Sequence, residues 1–320
     1  VAWMGAALAL ASRTQGRTAP NPNVGCMIVN QGRVVGRGWT QPGGRPHAEA
    51  MALAQAGAAA RGATAYVTLE PCAHVSPRGP ACSDLLAAAG VARVVAALED
   101  PDPRTAGAGF ARLRSAGIAV ETGVREAEAR ASMAGFLTRR VLGRPFVTLK
   151  LATSLDGCIA LADGRSRWIT GPGARAHAHL ERSRHEAILV GRGTYQADAP
   201  VLDVRLPGLE ERAPQRVMLS RTCAEGGLDG WTVIPTPAAV ATLAGDHLLV
   251  EGGAQVAAAF LAADLVDRLL LYRAPILIGT GRQALGDIGL ADLAAAHGRW
   301  RLEDRRRFGP DALEIHRRTR

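Results

Sequence analysis

The sequence predicts a layered α/β protein in two domains, on three observations. The chain has 320 residues, about two domains at roughly 100–200 residues each. Short β-branched, apolar runs alternate with Ala- and Leu-rich segments of helical length, the pattern of a sheet covered by helices. The alternation runs twice, either side of a basic break at Arg139–Pro145 that ends in Gly and Pro. Domains are therefore expected at 1–143 and 144–320. A composition of 48% hydrophobic and 21% charged residues is globular and excludes disordered, collagen-like or coiled-coil chains.

The elements are expected in this order. An apolar helix spans about 2–14. Strands follow at Gly25–Asn30 and Arg33–Arg37, with Gln31-Gly32 as the turn. His47–Ala60 reads as an Ala-rich helix closed by Gly62, Ala65–Leu69 as a strand, and Cys82–Ala89 as a helix ended by Gly90. Val91–Leu98 is an apolar strand, Gly109–Ala116 a helix and Ile118–Glu121 a short strand. Pro145 opens the second half with a strand at Phe146–Leu151. A helix at Ala174–His185 follows, then strands at Ala187–Val190, Arg216–Ser220 and His247–Glu251. A helix at Ala254–Ala263 and a strand at Arg268–Tyr272 complete the reading.

Several classes are excluded or disfavoured. No window reaches the ~18 unbroken apolar residues of a spanning helix. Val1–Ser12 has the apolar character of a signal core but no basic region before it, so it is read as a buried first helix. The sequence starts at Val1 and is expected to lack an initiator Met or a few residues. Five cysteines are too few, and too odd a number, for a disulfide framework, which points to reduced thiols or metal ligands in a cytoplasmic protein. The net charge of +9 fits nucleic acid or phosphorylated small molecules as partners. Of the 38 basic residues only Lys150 is a lysine, which marks a position where a compact ammonium is needed.

The sharpest chemical signal is His47-Ala48-Glu49, followed by Pro71-Cys72 and then Cys82. One imidazole and two thiolates suit Zn²⁺ and leave a fourth position for water. Glu49 lies two residues from a ligand and can reach that water without joining the metal. This is the H-x-E…P-C…C pattern of zinc deaminases, in which the metal brings the pKa of its water towards ~7 and the glutamate moves the protons. A second set, His177, Glu181 and His185, falls on one helix face at i, i+4, i+8 and is read as a solvated face. Cys26, Cys158 and Cys223 have no partner at ligand spacing and are expected to be buried or inert. In the second half, Gly252-Gly253 after a strand would let backbone N–H groups approach a pyrophosphate, and Arg182 and Arg205 could clamp a phosphate.

The chain resembles the family of bifunctional riboflavin-biosynthesis deaminase–reductases along essentially its whole length. The matching stretches are Pro20–Cys26, Pro46–Glu49, Ala65–His74, Asp100–Pro103, Leu149–Gly157, Trp168–Thr170, Val250–Gly253 and Ala274–Gly279. The resemblance implies an N-terminal cytidine-deaminase-like α/β/α sandwich and a C-terminal dihydrofolate-reductase-like α/β domain. It implies zinc-dependent removal of the 2-amino group of 2,5-diamino-6-(5-phosphoribosylamino)pyrimidin-4(3H)-one, then NADPH reduction of the ribosyl group to ribityl. It also implies a homo-oligomer with one Zn²⁺ per chain, no membrane and no nucleic acid. Zinc falls on His47, Cys72 and Cys82, and the proton shuttle on Glu49. Asn21, His74 and Arg78 match positions at the deaminase substrate. Lys150, Ser166, Arg182, Leu202, Arg205 and Glu251 match substrate positions of the reductase, and Ala152, Trp168, Thr194, Asp198, Ser220 and Gly253 match positions at the nucleotide.

The chain departs from the family pattern at Thr40, where His is common, and in a Cys72–Cys82 loop with one extra residue. It is also shorter between Ser220 and Val250, and Ala199 replaces a polar residue. The shortening motivates one alternative, a working deaminase with an impaired reductase. A nucleic-acid-acting zinc deaminase is the other, and the 4% aromatic content argues against it because bases need stacking platforms.

Overall fold

The computed structural model describes residues 1–74, 77–222 and 229–320. The chain divides into two compact units, Val1–Gly143 and Arg144–Arg320.

The first unit runs α1 (Ala2–Ala11), β1 (Gly25–Asn30), β2 (Arg33–Trp39), α2 (Ala48–Ala56), β3 (Thr64–Val67), α3 (Cys82–Ala88), β4 (Arg93–Ala96), α4 (Ala108–Ser115), β5 (Ala119–Glu121), α5 (Glu126–Ser132) and α6 (Ala134–Leu142). Its sheet has the order β2-β1-β3-β4-β5. β1 is antiparallel to β2 and β3, whereas β3, β4 and β5 are parallel. β1 and α2 are apolar on the buried side, and their Ile28, Ala48 and Ala52 join one core with Val67 of β3 and Val94 of β4. α2 lies unusually close on the sheet. A Cβ at Gly36 or Gly38 would come within about 2 Å of the Ala52 or Ala48 carbonyl oxygen. Glycine in β2 is what lets the helix carrying the metal-ligand motif seat there.

The second unit runs β6 (Phe146–Thr153), β7 (Cys158–Ala160), α7 (Pro172–Arg182), β8 (Ala187–Gly191), α8 (Arg192–Asp198), β9 (Gln215–Leu219), β10 (Trp231–Ile234), β11 (His247–Val250), α9 (Ala254–Ala262), β12 (Arg268–Arg273), β13 (Arg282–Gln283), β14 (Trp300–Phe308) and β15 (Asp311–Arg318). The sheet order is β10-β9-β8-β11-β6-β12-β15-β14. β10 through β12 pair in parallel, and β15 and β14 close that edge antiparallel. The central strands are buried on both faces, which is why they read as unbroken apolar runs.

Three expectations are corrected. Arg139–Leu142 does not break the pattern but forms the last turn of α6, and Gly143 at φ +68° stops the helix. The two arginines in that turn sit at the negative helix end, so the basic run is a C-terminal helix signal, while the division between the units still falls within the stretch, at Gly143/Arg144. His177, Glu181 and His185 are not a solvated face: all three are buried. Glu181 is paired with Arg268 and Arg184, His177 with the Tyr272 hydroxyl at 2.6 Å, and His185 with Thr148 at 3.0 Å. Apart from Arg184, which follows α7, these partners come from β6 and β12, which helix spacing alone could not reveal. Finally, α5, α8, β10 and the β14–β15 hairpin were not anticipated. β14 carries six charged residues and shows no apolar alternation, so it reads as a loop until its pairing with β15 is seen.

Among the described residues, no helix is long and apolar enough to cross a membrane. Cys26 and Cys158 are free and buried, as expected of inert thiols. Cys223 lies outside the described residues.

Candidate metal centre and reductase site

The metal-ligand residues come from three places that the fold brings together. His47 is the extended residue before α2, Cys72 follows β3, and Cys82 opens α3. One ligand atom from each lies within 4.8 Å of the others, the one such group found among the described residues. His47 Nδ1 is 3.3 Å from Cys82 Sγ and 3.6 Å from Cys72 Sγ. The backbone N–H of Cys82 donates to Cys72 Sγ at 3.3 Å, so the start of α3 favours a thiolate there. The hydrogen bond from Cys82 holds the Cys72 thiol down at about 4 and pushes the Cys82 thiol up, so one proton is shared by the pair. Two soft sulfurs and an imidazole nitrogen at this spacing fit zinc.

Glu49 sits in the first turn of α2, 3% exposed. Burial pushes its carboxyl up to about 7; His47 opposes this and Cys72 adds to it. A carboxyl poised near neutrality next to a metal-ligand set is suited to take and return protons.

These residues open on a cavity of about 420 Å³ lined by Asn21, Thr40, His47, Glu49, Cys72, His74 and Arg78, among others. Asn21 Nδ2 lies 3.1 Å from His47 Nε2 and donates to the Gly44 carbonyl at 2.7 Å. His74 Nδ1 is 3.3 Å from Thr105 Oγ1, and Arg78 reaches the Gly43 carbonyl at 3.1 Å. Thr40, where the family commonly has His, is buried and accepts the Val24 N–H through Oγ1 at 3.0 Å. Its hydroxyl therefore serves the backbone. Val75 and Ser76 of the lengthened loop lie outside the described residues.

The sequence reading gave no role to five further polar residues that line this cavity, Glu70, Asp100, Asp102, Arg104 and Arg140. Burial pushes Asp100 up to about 6, while Asp102 is held at about 2, chiefly by its hydrogen bonds from Arg104. The signal available was the Asp-Pro-Asp-Pro run at 100–103, which matched a family stretch but has no ligand spacing to His47 or Cys72.

In the second unit the structure brings Lys150, Arg182 and Glu251 together. Arg182 Nε and Nη2 donate to Glu251 Oε1 and Oε2 at 2.8 and 3.0 Å, and Nη1 donates to the Asp203 carbonyl at 3.0 Å. Lys150 Nζ lies 3.8 Å from Glu251 Oε2 and 5.9 Å from the centre of the Tyr272 ring. Burial alone would raise Glu251, but Lys150 and then Arg182 override it and hold the carboxyl at about 2. Arg205 is tied to Asp203 at 2.9 Å, and Leu202 is buried beside it in sequence. Gly253 caps α9, and a Cβ there would lie 4.0 Å from Thr194 Oγ1, so these two positions meet. Ser220 directly follows β9 and is buried, whereas Ala152 lies in β6 opposite Tyr272. Ser166, Trp168 and Asp198 are exposed. Trp168 stacks under the Arg175 guanidinium at 4.7 Å, and Asp198 meets Arg167 at 3.4 Å; neither pairing joins the Lys150 cluster.

Comparison with known proteins identifies the two units. Residues 145–313 match the family model for the RibD C-terminal domain, and residues 1–98 match that for the cytidine and deoxycytidylate deaminase zinc-binding region. The chain belongs to the RibD family. The riboflavin biosynthesis protein RibD of Escherichia coli K12 is 41% identical over 97% of this chain and 96% of its own length. That of Aquifex aeolicus is 39% identical over 91% of both. Among solved structures, Acinetobacter baumannii RibD superposes with a TM-score of 0.89 at 37% identity, covering 100% of this chain and 98% of that one. A Thermotoga maritima diaminohydroxyphosphoribosylaminopyrimidine deaminase/5-amino-6-(5-phosphoribosylamino)uracil reductase superposes with a TM-score of 0.90 at 32% identity, covering 99% and 98%. As a RibD-family chain with both domains present, it is a zinc deaminase and NADPH reductase of riboflavin biosynthesis. The segment between Ser220 and Val250 still delivers β10 alongside β9 and then β11 into the sheet centre.

Proposed function

We propose that the first unit hydrolytically removes the 2-amino group of 2,5-diamino-6-(5-phosphoribosylamino)pyrimidin-4(3H)-one, and that the second reduces the ribosyl group of the product to ribityl with NADPH. The observation that carries the deaminase reading is the convergence of His47, Cys72 and Cys82 beside the buried Glu49. Zinc held by those three residues supplies Lewis-acid activation of water at neutral pH. Glu49 takes a proton from the attacking water, passes it to the ring nitrogen, and delivers a proton to the departing ammonia. His74 and Arg78 line the cavity around the substrate, with Arg78 placed for its phosphate, and Asn21 contacts the base.

In the second unit NADPH supplies the hydride, and the acceptor is C1′ of the ring-opened ribosylamine. Lys150, Arg182 and Glu251 bind and orient the sugar phosphate with Ser166, Leu202 and Arg205. Arg182 already commits three of its N–H groups to Glu251 and Asp203, so it acts by holding Glu251 as much as by clamping phosphate. Ala152, Trp168, Thr194, Asp198, Ser220 and Gly253 form the nucleotide side, with the start of α9 available to a phosphate. We further propose a homo-oligomer of the cytoplasm that acts on small molecules and not on nucleic acid. The reduced thiols and the scarcity of aromatic side chains support this reading.

The test is a sequential assay of zinc-loaded protein on the diaminopyrimidine phosphate. Ammonia release followed by NADPH oxidation on the same sample is expected. Ammonia release alone would leave an impaired reductase, and neither would overturn both assignments.

A further inference from the structure

The chemistry above uses Glu49 but leaves a second buried carboxylate of the same cavity without a role. Glu70 lies between β3 and the ligand Cys72 and is 3% exposed. Its Oε2 accepts the backbone N–H groups of Asp100 at 3.1 Å and Gly107 at 2.9 Å, and its Oε1 accepts that of Phe110 at 3.1 Å. All three donors belong to one segment, 100–110, which leaves the sheet after β4 and enters α4. The packing there is tight: a Cβ on Gly109 would stand 2.0 Å from the Pro71 carbonyl oxygen.

That segment carries part of the polar wall of the cavity, Asp100, Asp102 and Arg104. Asp100 accepts the Asp102 N–H at 2.9 Å, and Asp102 holds Arg104 through both carboxylate oxygens. The buried Thr105 of the same segment meets the cavity-lining His74 at 3.3 Å. The ligands themselves are fixed by other bonds. Cys72 receives the Cys82 N–H on its sulfur, and its carbonyl accepts both the N–H and the hydroxyl of Ser83. Loss of Glu70 would therefore release the wall and leave the ligands seated.

We infer that Glu70 is a positioning residue of the deaminase: its carboxylate, by binding three backbone amides, sets the 100–105 wall against which the substrate lies beyond the metal centre. It governs substrate affinity rather than metal binding or the chemical step. This rests on the deaminase reading above. No other group could take its place, because three amides converge on two oxygens. A Gln offers one acceptor oxygen and turns its NH₂ towards an amide N–H, and an Asp falls short by one methylene.

The experiment uses the full-length zinc-loaded protein with Glu70→Gln and Glu70→Asp. The KM for the diaminopyrimidine phosphate is expected to rise about tenfold or more with kcat within about threefold, the scale of losing one or two charge-assisted bonds. Zinc content and NADPH-dependent reduction should hold at the level of the unsubstituted protein. Amide hydrogen exchange at Asp100, Gly107 and Phe110 should accelerate in the variants. An unchanged KM despite faster exchange would overturn the inference, as would loss of zinc or a collapse of kcat at constant KM. If neither variant folds, the unsubstituted protein decides: substrate should slow exchange at those three amides, and no slowing would count against the inference. Failure of the deaminase reading looks different, since the unsubstituted protein would then release no ammonia.

Discussion

Replacing Arg182 by Met would test how the reductase cluster is held together. Arg182 and Glu251 are both largely buried, with side chains 16% and 11% exposed. The substitution removes two charge-assisted hydrogen bonds to Glu251 and one bond to the Asp203 carbonyl, while keeping most of the apolar stem. What remains beside Glu251 is Lys150, 3.8 Å away and too far for a short hydrogen bond. Breaking one side of a buried ion pair costs about 3–5 kcal/mol, because the survivor is left in a poor solvent. Lys150 offsets part of that, so the low end, about 3 kcal/mol, is expected. For a unit of this size that corresponds to a fall of about 6–12 °C in its Tm. The assay is thermal unfolding of the full chain with the deaminase followed in parallel. The transition of the second unit should move, NADPH oxidation should fall, and ammonia release should hold. Arg182→Lys should recover only part of the loss, because an ammonium cannot reproduce the two-pronged contact. A Tm within about 2 °C of the parent would refute the reasoning, since it would mean Glu251 does not depend on Arg182.

Three further outcomes follow from the same geometry. Glu49→Gln should lower kcat for deamination by about 10²–10⁴-fold, the usual worth of a general acid–base group, while zinc content and reduction stay at the parent level; substantial residual deamination would remove Glu49 from the proton path. Cys82→Ala leaves two protein ligands, so the protein should lose zinc on dialysis and deaminate no substrate yet still oxidise NADPH when given the deaminated product, and retention of tightly bound zinc would contradict the ligand set. The third concerns acid stability. His185 is fully buried, and burial lowers its pKa from the ordinary 6.5 to about 4. The unfolded chain therefore binds a proton below 6.5 that the folded chain refuses until about 4. Stability from this group is complete above 6.5 and drains as the pH falls towards 4, by on the order of 3 kcal/mol. Below that, Glu181, held at about 2, adds its own loss. Thermal unfolding of the second unit across this range should show the decline, and His185→Gln should flatten it; a slope that the variant leaves intact would place the effect elsewhere.

The sequence by itself was enough for the parts whose chemistry is local. Strands and helices whose apolar period is unbroken, such as β1, β8, β11 and α9, could be placed within a residue or so. The metal motif was legible because His47 immediately precedes the helix turn that carries Glu49, and Cys72 and Cys82 flank one loop. The lone Lys150 stood out by composition alone, and it does meet Arg182's partner, Glu251.

What the tertiary structure alone decided is everything that depends on distant chain segments meeting. The face of His177, Glu181 and His185 reads as solvated because its own segment offers Glu181 local partners, His177 and Arg184, but gives no sign of what covers it. It is buried because Thr148, Arg268 and Tyr272 satisfy those charges from β6 and β12. The role of Glu70 depends on three backbone N–H groups some 30 to 40 positions away, and backbone donors have no sequence signature. The β14–β15 hairpin, rich in arginine, earns its strand geometry from cross-strand pairing and not from apolar alternation. Local pattern reports the period of a segment's own side chains, and only the folded chain shows which buried charge another segment neutralises.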